Sequence, residues 1–317
     1  MPLVSVVMPV YNPNLEYLQE SINSILNQTF DDFEFIIIDD NSDEEINIFL
    51  KSIDDHRVKI KRNINNLGVT KSLNIGFGMA KGKYIARMDC DDISFSDRLQ
   101  KQFDFMNENP DVIVCGCGIK TFCRYDELDS KCETYVPQIN DMELFRIRLL
   151  FCNCGPPHPT AFFNRELLIK YAINYKEDYY NSQDYAMWVS CSKVARMHII
   201  NDVMLAYRVH PNQISTAGYK RQLHYARKVR ESQLKGLFSF VSEEMVITHE
   251  KAYGGELSKK DTIRWYKRLK KANKVKKKYD IDLFSKFIDS LIYQKRKDCT
   301  IREKAISLYK QKTEKTK

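Results

Sequence analysis

The strongest constraint on the fold of this chain is an alternation, in its first third, of short apolar runs with segments of helical periodicity. Residues 4–10 (Val-Ser-Val-Val-Met-Pro-Val) form a β-branched run that ends in Pro9-Val10-Tyr11-Asn12-Pro13, the pattern of a buried strand and a turn. Leu15, Leu18, Ile22, Ile25 and Leu26 then recur at helical spacing behind a candidate N-cap, Asn14. Residues 33–38 repeat the strand pattern and stop at Asp39-Asp40-Asn41-Ser42-Asp43, after which Ile46, Phe49, Leu50 and Ile53 repeat the helical one. A third strand is expected at 58–60, a helix over 70–80 closed by Gly82, and a fourth strand at 84–88. A helix carrying Leu99, Phe103 and Met106 and a fifth strand at 112–115 follow. Near-continuous apolar strands joined by helices predict an α/β fold, a mostly parallel sheet with helices on both faces.

Ligands of such sheets bind beyond the carboxyl ends of the strands. Tyr11-Asn12, Asp39-Asp40 and the segment 89–92 all fall at such ends. The fourth strand, Tyr84-Ile85-Ala86-Arg87-Met88, stops abruptly at Asp89, Asp91 and Asp92. Carboxylates this crowded repel one another unless a cation sits among them, and hard divalent cations prefer oxygen ligands. A solvated acidic turn capping the helix that starts near Ser96 is the competing reading. Convergence of three strand ends favours the ligand site.

No apolar run reaches the length of about 18 residues that a transmembrane helix needs. The N-terminus has no basic region or cleavage site and reads as a strand, so a cytoplasmic location is expected. Nine cysteines suit that compartment as reduced thiols. Cys115-Gly116-Cys117 and Cys152-Asn153-Cys154 are too closely spaced for a structural zinc site, and buried thiols are expected instead. The net charge of +8 conceals an asymmetry. Residues 218–317 carry 28 Lys+Arg against 12 Asp+Glu, net +16, and residues 1–217 carry 22 against 30, net −8. The acidic part and the basic tail therefore do different jobs.

Five motifs, in order, carry a family resemblance. They are Val4-Ser5-Val6-Val7-Met8-Pro9-Val10-Tyr11-Asn12 with Gln28-Thr29-Phe30; Ile37-Ile38-Asp39-Asp40-Asn41-Ser42; Asn66-Leu67-Gly68 with Leu73-Asn74; Asp89-Cys90-Asp91-Asp92; and Gln183-Asp184-Tyr185-Ala186-Met187-Trp188 with the closing Tyr207-Arg208-Val209-His210-Pro211-Asn212-Gln213-Ile214-Ser215. Over residues 3–216 the chain resembles family 2 of the inverting glycosyltransferases. The wording of Ile85-Ala86-Arg87-Met88-Asp89 and of Arg98-Leu99-X-Lys101-Gln102 is most similar to bacterial exopolysaccharide and capsule enzymes. The resemblance implies a GT-A (Rossmann-like) nucleotide-sugar domain over 1–217, while the charge asymmetry and a change to helical patterning mark a basic α-helical extension over 218–317.

The resemblance also implies roles. Asp40 would bond the base of the nucleotide; a carboxylate there can accept the imide N–H of uracil, which suits a UDP-sugar. Capping the helix after Asp43 is its competing task. Pro9, Val10, Tyr11 and Asn12 would line the same pocket, with Tyr11 either stacked on the base or placed in the core. Asp91 would be the principal ligand of Mn²⁺ or Mg²⁺, Asp89 would contact the ribose or the metal, and Asp92 the donor sugar or the metal. Such a cation neutralises charge on the departing diphosphate, so no acid is needed there, unlike in a glycosidase. A base for the acceptor hydroxyl is needed, and Asp184 matches it; a cap at a helix N-terminus is the plainer reading. Gln183 replaces the Glu often found beside that Asp. His158, set among prolines, matches a histidine between donor and acceptor or serves structure; His210 matches a diphosphate or metal contact. Lys71 is a phosphate contact or an ordinary surface lysine.

Beyond residue 218, helices are expected over 223–240, 261–279 and 283–308. The second is strongly basic, with Trp265, Tyr266 and Leu269 on its apolar side. Basic helices with interfacial aromatics suit an anionic membrane surface, where a polyprenyl-diphosphate-linked glycan acceptor would lie. Nucleic acid is the least favoured partner, since no recognised binding module accompanies the charge. The functional expectation is an inverting, metal-dependent hexosyltransferase building a surface polysaccharide. A fold relative that mainly binds a partner through its helical tail is the alternative, while a sugar nucleotidyltransferase would open with a Gly-rich loop that this chain lacks.

Overall fold

The sheet grows outward from β1 (Val4–Val10), buried along its whole length. Next come α1 (Leu15–Leu26), β2 (Phe33–Asp39), α2 (Glu44–Lys51), β3 (Val58–Arg62), α3 (Val69–Met79) and β4 (Tyr84–Arg87). The second half of the sheet contains β5 (Ile93–Ser94), α4 (Arg98–Glu108), β6 (Val112–Phe122), β7 (Thr134–Tyr135), α5 (Met142–Leu149), β8 (Phe162–Asn164), α6 (Arg165–Lys170), α7 (Gln183–Cys191) and β9 (Arg196–Arg208). Helices α8 (Tyr219–Leu234), α9 (Glu243–Gly254), α10 (Lys259–Lys276) and α11 (Ile281–Tyr293) complete the chain. This computed structural model describes residues 1–123, 132–139, 141–210, 213 and 218–293. Most of the closing Pro211–Ser215 stretch, the boundary residue 217 and the last part of the helix expected over 283–308 lie outside them.

The strand order is β3-β2-β1-β4-β8-β6-β9-β5, with β7 beside β6. Strands β3, β2, β1 and β4 are mutually parallel, as are β6 and β9. The join between these halves is β8, antiparallel to both β4 and β6. One face is packed by Leu18, Ile22, Ile46, Leu50, Leu99 and Met106 of α1, α2 and α4. The other is covered by Leu73, Phe145, Leu168 and Trp188 of α3, α5, α6 and α7. Truncating one such core leucine would cost about 2–5 kcal/mol.

Strand β6 runs to Phe122, well past the apolar run at 112–115. Gly116 and Gly118 break the residue pattern there, yet each is a point of close approach. A Cβ on Gly116 would lie 2.6 Å from the Pro156 ring, and one on Gly118 2.6 Å from Val136. The ladder to β9 shifts register on both sides of Gly118, the ordinary place for glycine in a strand. Eight cysteines lie among the described residues, none in a disulfide. Burial drives the Cys115 thiol well up and Cys117 up to about 12.

A third core unites α8 to α11 through Leu234, Leu237, Met245, Trp265, Tyr266, Leu269 and Phe284. It also takes Ile147, Leu150 and Phe151 from α5 and the loop after it. This corrects one expectation: Trp265 and Tyr266 are buried against protein and are not interfacial anchors. What the basic helix exposes is charge, in a stripe through Lys260, Arg264, Lys267, Lys271 and Lys274. No helix among the described residues is long and apolar enough to cross a membrane.

Candidate active site

The loops after β1 and β2 are stitched together. Asn12, in the left-handed region (φ +42°), donates its backbone N–H to Ser42 Oγ (3.1 Å). Its Oδ1 accepts from Asp43 N–H (2.7 Å). Pro9 and Val10 are buried and Tyr11 is 53% exposed, so Tyr11 is not a core residue and its ring is open to a ligand. Asp39 pairs with Arg62 of β3 and accepts from Ser42 N–H (2.8 Å). Asp40 caps no helix, because Asp43 holds the N-cap position of α2. Its buried carboxylate instead accepts from Asn63 Nδ2 (2.7 Å), Leu67 N–H (2.8 Å) and Gly68 N–H (2.7 Å). Asp40 thus pins the loop at 63–68 to the sheet edge. Lys71, in the first turn of α3, forms an ion pair with Glu177 at 3.5 Å, both about half exposed.

Asp89, Asp91 and Asp92 follow β4, each offering an oxygen within 4.8 Å of the others. Buried arginines oppose them. Arg87, the last residue of β4, pairs with Asp89. Arg98 of α4, fully buried, donates to the carbonyls of Pro159 (2.7 Å) and Arg87 (3.4 Å). Burial, offset by Arg87 and reinforced by Asp91, pushes the Asp89 carboxyl up to about 6. Asp92 is fully buried; its Oδ1 accepts from Arg208 N–H (2.9 Å), while its Oδ2 has no partner among the described residues. A buried oxygen with no partner is costly, and a cation would satisfy it. The donor set is hard oxygen, so these residues fit Mg²⁺ or Mn²⁺. His210 joins them, its Nε2 3.0 Å from Asp91 Oδ2.

Asp184 lies in the first turn of α7, one residue inside the helix, while Ser182 occupies the cap position. Asp184 is therefore not the cap. Burial pushes its carboxyl up, and hydrogen bonds from the Tyr185 backbone and Asn153 and the charge of Arg87 pull it back. Its charge reaches Asp89, the weakest of the influences that raise that carboxyl. Gln183 beside it is buried, with Oε1 unpartnered among the described residues. His158 sits in a 3-10 turn with its Nε2 2.8 Å from Tyr175 Oη and its ring edge-on to Trp188. Burial and then Arg87 hold its pKa well down, so the ring is neutral.

Around these acids lie residues to which the sequence assigned no role: Glu20, Asn153 and Tyr175, and also Arg87 and Arg208, which appear in its motifs without a task. Arg87 and Arg208 end strands, where charge suggests solvent, yet they are 3% and 1% exposed. Glu20 had a legible signal, since Tyr17, Glu20, Ser21, Ser24 and Gln28 form a polar stripe at helical spacing opposite the apolar face of α1.

A mostly parallel sheet with helices on both faces and an acid trio beyond the carboxyl end of β4 is the arrangement of the glycosyltransferases with the GT-A fold. The sequence model of Glycosyl transferase family 2 matches residues 5–171, more than half of the chain, and the chain belongs to that family. It is 30% identical over 243 residues to an uncharacterized glycosyltransferase of Haemophilus influenzae, covering 74% of this chain and 73% of that one. It is 35% identical over 223 residues to the O-antigen biosynthesis glycosyltransferase WbnJ of Escherichia coli, covering 66% and 81%. Among solved structures, S. aureus TarS 1-349 in complex with UDP-GlcNAc superposes with a TM-score of 0.58 at 18% identity, covering 92% and 84%. The mannosyltransferase PcManGT from Pyrobaculum calidifontis, in complex with GDP-Man and Mn²⁺, gives 0.50 at 16%, covering 98% and 79%.

Proposed function

We propose that this glycosyltransferase is an inverting, divalent-cation-dependent enzyme that takes a hexose from a UDP-sugar and adds it to a surface-polysaccharide glycan carried on polyprenyl diphosphate. The observation that carries the reading is the unpartnered buried oxygen of Asp92 within the acid trio, with the charge of Asp184 reaching Asp89. O-antigen assembly by one relative and a bound UDP-GlcNAc in one fold neighbour support the choice of acceptor and donor.

Asp91 and Asp92, with His210 beside them, would hold the cation, and Asp89, tied to Arg87, would face the ribose. A bound Mg²⁺ or Mn²⁺ would neutralise the charge that grows on the diphosphate. Tyr11 and the backbone of Pro9, Val10 and Asn12 would enclose the base beside Asp40. Lys71 would reach the phosphates only by releasing Glu177. Across the cleft, Asp184 Oδ would take the proton of the acceptor hydroxyl as its oxygen attacks the anomeric carbon from the face opposite the diphosphate. Neutral His158, fixed by Tyr175, would orient the hydroxyls between donor and acceptor. The basic stripe of α10 would hold the enzyme against the anionic lipids among which such an acceptor sits.

The test is UDP release from UDP-sugars with Mn²⁺ present, for the wild type, Asp91→Ala and Asp184→Asn. Loss of turnover in both variants is expected. A rate indifferent to both changes would refute the site.

A further inference from the structure

Arg208 ends β9 with its guanidinium sandwiched between Tyr17 and Phe122, 4.0 and 4.4 Å from the ring centroids. Its polar groups go to separate parts of the site. The backbone N–H serves Asp92 Oδ1, Nε–H donates to the Asp91 carbonyl (2.8 Å), and Nη2 pairs with the carboxylate of Glu20. Two residues on, His210 meets both Asp91 and the tilted ring of Tyr17, whose centroid is 5.6 Å away.

Glu20 belongs to the polar stripe of α1, which follows the acidic loop along its length. Ser21 Oγ donates to the Asp89 carbonyl (2.7 Å), and Ser24 Oγ accepts from Ser94 N–H (3.1 Å). Gln28 donates to the Phe95 carbonyl (2.8 Å) and accepts from Leu99 N–H (3.0 Å). The loop bearing three like charges is thus held by a helix that contributes none of the acid trio.

We propose that Glu20 and Arg208 form the positioning pair of the cation site, an inference that rests on reading the acid trio as that site. Arg208 fixes the Asp91 main chain and the Asp92 carboxylate at once, so the oxygens stay convergent despite their repulsion. Without a counter-charge, a buried guanidinium beside the trio would repel the cation it helps to arrange. Glu20 supplies that counter-charge at Nη2. Lysine cannot replace the arginine, because one ammonium cannot serve both the Asp91 carbonyl and Glu20 in the fork geometry of guanidinium.

The experiment titrates Mn²⁺ into the full chain, alone and with UDP, following free Mn²⁺ by electron paramagnetic resonance. The wild type, Asp91→Ala, Glu20→Gln and Arg208→Lys are compared, each with its metal-free melting temperature. Mn²⁺ affinity is expected to fall about tenfold or more in Glu20→Gln and Arg208→Lys, beyond whatever the loss of the buried ion pair does to the metal-free melting temperature. A merely structural pair would move the second quantity and not the first. Wild-type affinity in both variants, with binding lost in Asp91→Ala, overturns the pairing alone. No Mn²⁺ binding by the wild type, or unchanged binding by Asp91→Ala, overturns the cation site as well. Should Arg208→Lys fail to fold, Glu20→Gln decides.

Discussion

Asn153 donates its side-chain N–H to Asp184 Oδ2 at 2.8 Å, joining the loop after α5 to the first turn of α7. Asn153 is exposed and sits between Cys152 and Cys154, whereas Asp184 is half-buried. The bond fixes the rotation of the carboxylate, which in the proposed mechanism would meet the acceptor hydroxyl. Hydrogen bonds to charged groups contribute about 1.5–3 kcal/mol. Asn153→Ala should therefore lower kcat by roughly tenfold or more and leave the KM for the donor unchanged. Steady-state kinetics on the UDP-sugar give the answer, and a donor KM that rises with kcat intact would show that Asn153 serves binding instead.

Asp184→Asn keeps the shape and the Asn153 contact of the first turn but removes the base. General-base contributions run to about a hundredfold or more, so turnover should fall at least that far. Binding of UDP, followed by calorimetry, should stay near that of the wild type. Asp91→Ala should do the reverse in part, weakening UDP binding when Mn²⁺ is present and leaving it little changed when the metal is withheld.

Much of this was legible from residue order, and the exceptions have physical causes. Strands β1, β2 and β4 are buried on both faces, so their apolar runs are continuous and easy to read. Strand β9 carries Arg196, His198, Asn201 and Asp202 along its length, and β8 is three residues long, so neither has a period to detect. The acid trio was visible because it interrupts a strand. The arginines that face it were not, because nothing in a strand sequence tells a charge sandwiched between two rings from one in water. The apolar stripe of α10 is equally ambiguous: Trp265, Tyr266 and Leu269 fit a membrane interface or a helical core, and only packing against Phe238 and Phe151 decides.

His249 makes the helical core sensitive to acid. It is fully buried, accepts at Nδ1 from Trp265 Nε1–H (3.2 Å) and bonds the Leu150 carbonyl through Nε2 (3.0 Å). A proton on Nδ1 would face the indole N–H, and burial brings the pKa down to about 4 from the ordinary 6.5. The unfolded chain takes up this proton first, so the stabilisation is complete above pH 6.5 and declines as the pH falls from there toward 4. The full loss from this group is about 3 kcal/mol. Half-buried His158 acts in the same direction. In His249→Gln, whose amide still reaches Leu150, the drop in melting temperature between about pH 7.5 and about pH 5 should shrink without vanishing. An unchanged drop would remove His249 as its cause.

Because α5 supplies Ile147, Leu150 and Phe151 to the core of the helical extension, cutting the chain near residue 217 would expose apolar surface and confuse any membrane assay. Neutralising the exposed stripe is the cleaner test. Lys267, Lys271 and Lys274 lie on one solvent-facing side of α10, away from buried Trp265 and Leu269. Each lysine near an anionic surface contributes about 1 kcal/mol, so the triple Lys→Gln variant should bind phosphatidylglycerol vesicles about a hundredfold more weakly. With Trp265 and Tyr266 buried, the expected attraction is chiefly electrostatic, and raising salt should release the wild type as well. Sedimentation with vesicles at low and high ionic strength measures both. Vesicle binding that persists in the triple variant and in high salt would place the attachment elsewhere on the chain and leave the α10 stripe as a solvated surface.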